Sequence, residues 1–100
     1  MIVIDESGCG TSIDLPAGDT LVVRLAGQAA TGYVWVVEEA GGLVLSDKRY
    51  VSGGDRPGAA GYHEFRFEAG EAGTHVLRFK RGREWEETAA GRCEVVVRVR

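Results

Sequence analysis

The sequence predicts an all-β chain, folded as an antiparallel β-sandwich of seven to eight strands. Two observations carry this. Apolar residues recur at every second position in short runs, and no window holds a 3.6-residue period. The runs are separated by turn residues, and glycine is high at 15 of 100 residues, against an average near 7%. The length corresponds to one domain spanning residues 1–100, large enough to bury one apolar core without metal or disulfide staples.

The strands can be read in order. Ile2 and Ile4 open a short one. Ile13 and Leu15 alternate with Asp14, and Pro16-Ala17-Gly18-Asp19 turns the chain. Leu21, Val23 and Leu25 share one face, with Val22 and Arg24 on the other. Residues 27–32 read as a loop. Tyr33, Trp35 and Val37 then share a face, Gly41-Gly42 breaks the chain, and Leu43-Val44-Leu45 restarts it. Residues 52–61 form the longest breaker-rich stretch. His63, Phe65 and Phe67 point one way, against Tyr62, Glu64, Arg66 and Glu68. After the turn Gly70-Glu71-Ala72-Gly73, His75, Leu77 and Phe79 alternate with Val76, Arg78 and Lys80. Residues 81–91 read as a charged loop holding Trp85, and Val95, Val97 and Val99 mark the last strand. Trp35 reads as a core anchor between two sheets. The disulfide arrangement of antibody domains is missing, so the sandwich is immunoglobulin-like only in architecture.

Composition narrows the function classes. Net charge is −3, with 12 basic and 15 acidic residues interspersed. No basic stripe invites nucleic acid or an anionic membrane. No apolar run approaches the roughly 18 residues of a membrane span. The N-terminal MIVIDESG has neither a basic nor an apolar leader segment, so the chain is expected to be cytoplasmic if complete and exported if a leader was removed. Cys9 and Cys93 are not metal-spaced. Reduced thiols are favoured for a cytosolic protein, and a disulfide stays open if the first and last strands are neighbours.

Catalytic chemistry is not expected. His63 and His75 share faces with Phe and Leu, and read as partly buried core histidines. Their strands are expected to be adjacent, which makes a metal pair conceivable. No cysteine or carboxylate at ligand spacing joins them. Asp55, Glu84, Glu86 and Glu87 read as solvated loop charges. Gly53-Gly54 and Gly58-Ala59-Ala60-Gly61 are not phosphate loops, because no Walker lysine follows and no helix begins there. The chain is therefore expected to be no enzyme, with no catalytic residue, cofactor or metal.

Binding is the stronger class. In a sandwich, alternate loops gather at one end. Three loops stand out: residues 28–33, 52–61 and 81–87. They offer a small hydroxyl in Thr31, a glycine-rich segment, and a large aromatic in Trp85 set among charges. Tryptophan in such a setting often anchors an interface.

In this order, the three loops resemble those of the chagasin family, inhibitors of papain-like cysteine peptidases. That family's first loop reads N-P-T-T-G-Y-x-W. Here Gln28-Ala29-Ala30-Thr31-Gly32-Tyr33-Val34-Trp35 keeps the T-G-Y-x-W half and replaces Asn-Pro-Thr. The second loop reads G-x-G-G before a strand with alternating Phe. Here Gly58-Ala59-Ala60-Gly61 keeps the outer glycines ahead of Phe65 and Phe67. The third reads R-P-W with a glutamate soon after. Here Arg83-Glu84-Trp85-Glu86 lacks only the proline. Arg56-Pro57 precedes the second loop and is out of order for that motif.

The resemblance implies a function. The three loops would wedge into a peptidase cleft, with Ala30, Thr31, Gly32, Tyr33, Gly58, Ala59, Ala60, Gly61, Arg83 and Trp85 as the peptidase-binding set. A monomer acting on a papain-like cysteine peptidase is expected. The alternative is a generic immunoglobulin-like binding or adhesion module without inhibitory activity, in which the loops are incidental. A hydrolase or metal protein built on His63 and His75 is the third class.

Overall fold

Alternation gives each strand an apolar and a polar face, and two such sheets bury their apolar faces against each other. The computed structural model describes residues 1–27, 33–51, 61–83 and 90–100. Within them lie eight strands: β1 (Ile2–Ile4), β2 (Ser12–Leu15), β3 (Thr20–Gly27), β4 (Tyr33–Glu39), β5 (Val44–Val51), β6 (Gly61–Glu68), β7 (Gly73–Arg83) and β8 (Gly91–Val99). One sheet has the order β1-β3-β6-β5 and the other β2-β8-β7-β4. A 3-10 turn at Glu6–Gly8 carries the chain from the first sheet to the second.

The predicted inward faces form the core. Leu21, Val23, Leu25, Phe65 and Phe67 come from one sheet, and Trp35, Leu77, Phe79, Val95, Val97 and Val99 from the other. The Phe79 ring bridges the sheets, with its centroid 5.0 Å from Phe65 and 5.9 Å from Phe67 in tilted and edge-on contacts. Such pairs add attraction beyond the area they bury.

Several local expectations need correction. The pairing is not wholly antiparallel: β1 runs parallel to β3, and β2 parallel to β8. Each joins its sheet by a crossover between sheets, which frees it from hairpin geometry. β5 extends to Val51, well past the residues whose alternation marked it. It is an edge strand exposed along most of its length, so little apolar pattern is required of it. Asp47, Lys48 and Arg49 and a bulge between Leu45 and Asp47 break up its open side, as edges need. β7 runs through Arg83 rather than ending before Arg81, because residues 79–83 pair with β4.

The histidines are also further apart than expected. β6 and β7 belong to different sheets. His63 lies near the start of β6 and His75 near the start of β7, at opposite ends of the sandwich. His75 Nδ1 accepts from the Gly42 backbone N–H at 2.9 Å, and its Nε2 lies 2.7 Å from the Glu71 carbonyl. It is a structural latch between two turns. Among the described residues, no group of three His, Cys, Asp or Glu side chains is arranged to hold a metal. No helix among the described residues is long and apolar enough to cross a membrane.

Cys9 and Cys93 are joined by a disulfide, with Cα atoms 5.0 Å apart. This overturns the preference for free thiols. The pairing of β2 with β8 and the hydrogen bond from Gly10 N–H to the Glu94 carbonyl (2.7 Å) bring the turn before β2 onto the last strand. The crosslink spans a sequence separation of 84 residues, so it restrains the unfolded chain strongly. Replacing both cysteines by serine is expected to lower stability by about 2–4 kcal/mol, read by chemical denaturation. Trp35→Ala is expected to cost roughly 3–5 kcal/mol and to lower the melting temperature sharply; an unchanged melting temperature would contradict its role as a core anchor.

Candidate functional site

The three segments singled out from the sequence all leave from one end of the sandwich. In the first sheet, Gly27 at the end of β3 pairs with Gly61 at the start of β6, and Val51 at the end of β5 pairs with Tyr62. In the second sheet, Tyr33 at the start of β4 pairs with Arg83 at the end of β7, and Arg81 pairs with Gly91. The Trp35 indole N–H donates to the Ala26 carbonyl at 3.1 Å and so fastens these two ends to each other. The stems of segments 28–32, 52–60 and 84–89 therefore share a pole.

Of the residues expected to bind a peptidase, Tyr33, Gly61 and Arg83 fall within these stems. Ala30, Thr31, Gly32, Gly58, Ala59, Ala60 and Trp85 lie outside the described residues, as do Asp55, Glu84, Glu86 and Glu87.

Tyr33 and Arg83 belong to one cluster. The Arg83 guanidinium carbon stands 4.4 Å from the Tyr33 ring centroid, and that of Arg81 stands 5.6 Å away. Cations over an aromatic face are held by its negative quadrupole. Tyr33 opens the strand after the first segment and Arg83 closes the strand before the third, so this stack joins the roots of two segments.

Gly61 meets a different requirement. A side chain there would overlap the Val51 carbonyl oxygen and the Tyr50 hydroxyl. The Tyr50 hydroxyl also donates to the Gly27 carbonyl at 3.2 Å. Glycine thus allows β5 and β6 to close tightly just where the second segment begins. Gly27 is similarly confined, because a Cβ there would lie 3.0 Å from His63 Cδ2.

The sequence did not mark Glu6. β1 covers β3 only at Leu21, Val22 and Val23, and the Ala26 N–H beyond it is taken by Glu6 Oε1 at 2.7 Å. A carboxylate from a 3-10 turn closing a strand edge twenty residues away leaves no periodic signal.

Glu64 was also misjudged as an ordinary outward charge. It is 1% exposed because arginines from three strands lie over it. Arg49 Nε sits 2.7 Å and Arg24 Nε 3.0 Å from its two oxygens, with Arg66 at 4.0 Å. The hydrogen bond from Arg49, then that from Arg24, hold its carboxyl below the usual range against the opposing effect of desolvation. Arg24 also stacks on Tyr62 at 5.3 Å. Beside this cluster runs an open groove of about 490 Å³ lined by Asp5, Glu6, Ser7, Arg24, Ala26, Gly61 and Tyr62. It reaches the pole at Gly61.

Comparison with known proteins agrees with this geometry. The sequence model of the chagasin family of peptidase inhibitors matches residues 14–99, and the chain belongs to that family. No curated protein matches the chain significantly. Among solved structures, the cysteine protease inhibitor EhICP2 from Entamoeba histolytica superposes with a TM-score of 0.85 at 18% identity, covering 99% of this chain and 94% of that one. Amebosin superposes with a TM-score of 0.84 at 24% identity, covering 99% and 97%. PbICP-C, solved in complex with falcipain-2, superposes with a TM-score of 0.70 at 13% identity over 100% of both chains. At these identities the structures establish a shared fold. The family match places the chain among inhibitors of cysteine peptidases rather than among generic adhesion modules.

The Tyr33–Arg83 stack gives a direct test. A double-mutant cycle with Tyr33→Leu and Arg83→Ala is expected to show a coupling of about 0.5–1 kcal/mol in unfolding free energy. Additive effects would mean that the two side chains are neighbours without attraction.

Proposed function

We propose that the chain is a reversible, tight-binding, competitive inhibitor of papain-like cysteine peptidases, which it blocks by inserting the segments at its Tyr33–Gly61–Arg83 pole into the catalytic cleft. The observation that carries this reading is the shared pole. Segments separated by dozens of residues all start from one end of a rigid two-sheet frame. The similarity to EhICP2, a cysteine protease inhibitor, and to PbICP-C, solved in complex with falcipain-2, supports the choice of target class.

The chemistry of the segments suggests their roles. Thr31 and Gly32 form a small tip able to approach a catalytic thiol closely, since glycine lets the backbone itself make contact. Ala30 precedes that tip. Gly58, Ala59, Ala60 and Gly61 meet one rim through the backbone. Trp85 packs on the opposite rim as the aromatic anchor. Tyr33 and Arg83 hold the first and third segments in register from below, which moves Arg83 from a peptidase contact towards a brace. Inhibition needs no bond to the peptidase and gives this chain no catalytic step. Fit and exclusion of water from the cleft suffice, over about 800 Å² per partner for an interface of standard size. One copy of the chain acts on one peptidase.

Titration of papain against a fluorogenic peptide tests the proposal. Competitive loss of activity is expected, with a trypsin-like serine peptidase unaffected. Trp85→Ala should weaken inhibition by about 2 kcal/mol or more, near thirtyfold. Full papain activity at saturating protein would overturn the proposal.

A further inference from the structure

Beneath the roots of the first two segments lies a histidine that the inhibitory reading leaves unused. His63 points inward at the pole end of β6 and is 9% exposed. It pairs with Leu25 on one side and Tyr50 on the other. Its ring meets the Tyr50 ring edge-on, centroids 5.1 Å apart. Gly27 sits against it so closely that a Cβ would lie 3.0 and 3.1 Å from two ring atoms. The same tyrosine hydroxyl that donates to Gly27 fills the space a side chain on Gly61 would need. Gly27 is the last residue before segment 28–32, and its partner Gly61 is the first after segment 52–60. One packed layer of His63 and Tyr50 thus sets the spacing of both roots.

We propose that His63 is a positioning residue of the inhibitor, whose neutral ring holds Gly27 and Gly61, the roots of the first two segments, in place and whose protonation loosens that packing. The inference rests on the inhibitory reading given above. Its physical basis is Nε2, which is buried and has no hydrogen-bond partner among the described residues. In the neutral ring this nitrogen can remain a bare lone pair. In the protonated ring it becomes a charged donor with no acceptor placed against it among the described residues, while Arg81 and Arg83, stacked on Tyr33, already bring positive charge to the inner face of the opposing sheet at this pole. Leu25 and Gly27 on β3 offer no titratable group. β5 presents Tyr50 and the cation Lys48, and Glu64 on His63's own strand lies on the opposite sheet face among its arginines.

Burial first, then the charge of Lys48, hold the imidazole below its ordinary value of 6.5. The sign follows from linkage. Above 6.5 the ring is neutral in packed and loosened states alike and pH has no leverage. As pH falls below 6.5 the loosened state takes up the proton first, so the packed layer loses stability until the lowered packed-state value is passed. Inhibition should therefore weaken in acid.

The test measures inhibition constants of the wild type and His63→Gln against papain from pH 7.5 to 5.0. Taking the ratio of the two at each pH cancels the titration of the peptidase. The wild-type constant is expected to rise relative to the variant by several-fold as pH falls below 6.5, since the packed layer loses stability there. In the free wild type, the His63 ring and the backbone amides of Gly27 and Gly61 should shift together in an NMR titration with one midpoint below 6.5. A flat ratio, or glycine amides that ignore the His63 titration, overturns the proposal. Absence of inhibition by the wild type at pH 7.5 would instead overturn the inhibitory reading, which separates the two failures.

Discussion

The Ala26 peptide is where the two halves of the molecule are fastened. Its carbonyl accepts the indole N–H of Trp35, and its N–H is taken by the Glu6 carboxylate. The first bond crosses from one sheet to the other at the pole. The second ties the strand to the 3-10 turn, which the disulfide at Cys9 anchors to β8. Segment 28–32 must span from Gly27 in one sheet to Tyr33 in the other. Its end-to-end distance is therefore fixed by a buried aromatic ring and not by the segment itself.

This division of labour matters for binding. Ordering a free loop costs entropy at the moment of association, and fixing its ends in advance removes part of that cost. The stems here are fixed by different means. A cation stack of Arg81 and Arg83 on Tyr33 joins the first and third roots. A glycine pair packed on tyrosine and histidine joins the first and second. The arginine-covered Glu64 ties β3, β5 and β6 on the outer face just behind them. The frame holds these contacts independently of the residues that differ from the family's loop motifs, such as Ala60 and the missing prolines.

Much of the fold was legible because burial on one face imposes a period of two. Leu21, Val23 and Leu25, or Phe65 and Phe67, declare their face in the sequence alone. β5 was legible only at its start, since an exposed edge strand is under no such constraint. The parallel placement of β1 and β2 depends on crossovers whose path no local pattern records. The disulfide was missed in favour of free thiols for the same reason: it hinges on which strands become neighbours. At the site, motif order pointed to the pole, and Tyr33 and Arg83 turned out to face each other. The contributions of Glu6, Tyr50 and His63 arise from packing between distant strands and leave no motif. The distance between His63 and His75 was misjudged because consecutive strands were assumed to share a sheet.

The proposed inhibition requires that the pole, and not a sheet face or edge, meets the peptidase. Hydrogen exchange of the chain, free and bound to papain, addresses this most directly. Added protection is expected at residues 28–33, 52–61 and 83–90, with the exposed edge of β5 and the outer faces of both sheets unchanged. Protection gained along β5 or across an outer face, with the pole still exchanging freely, would contradict it.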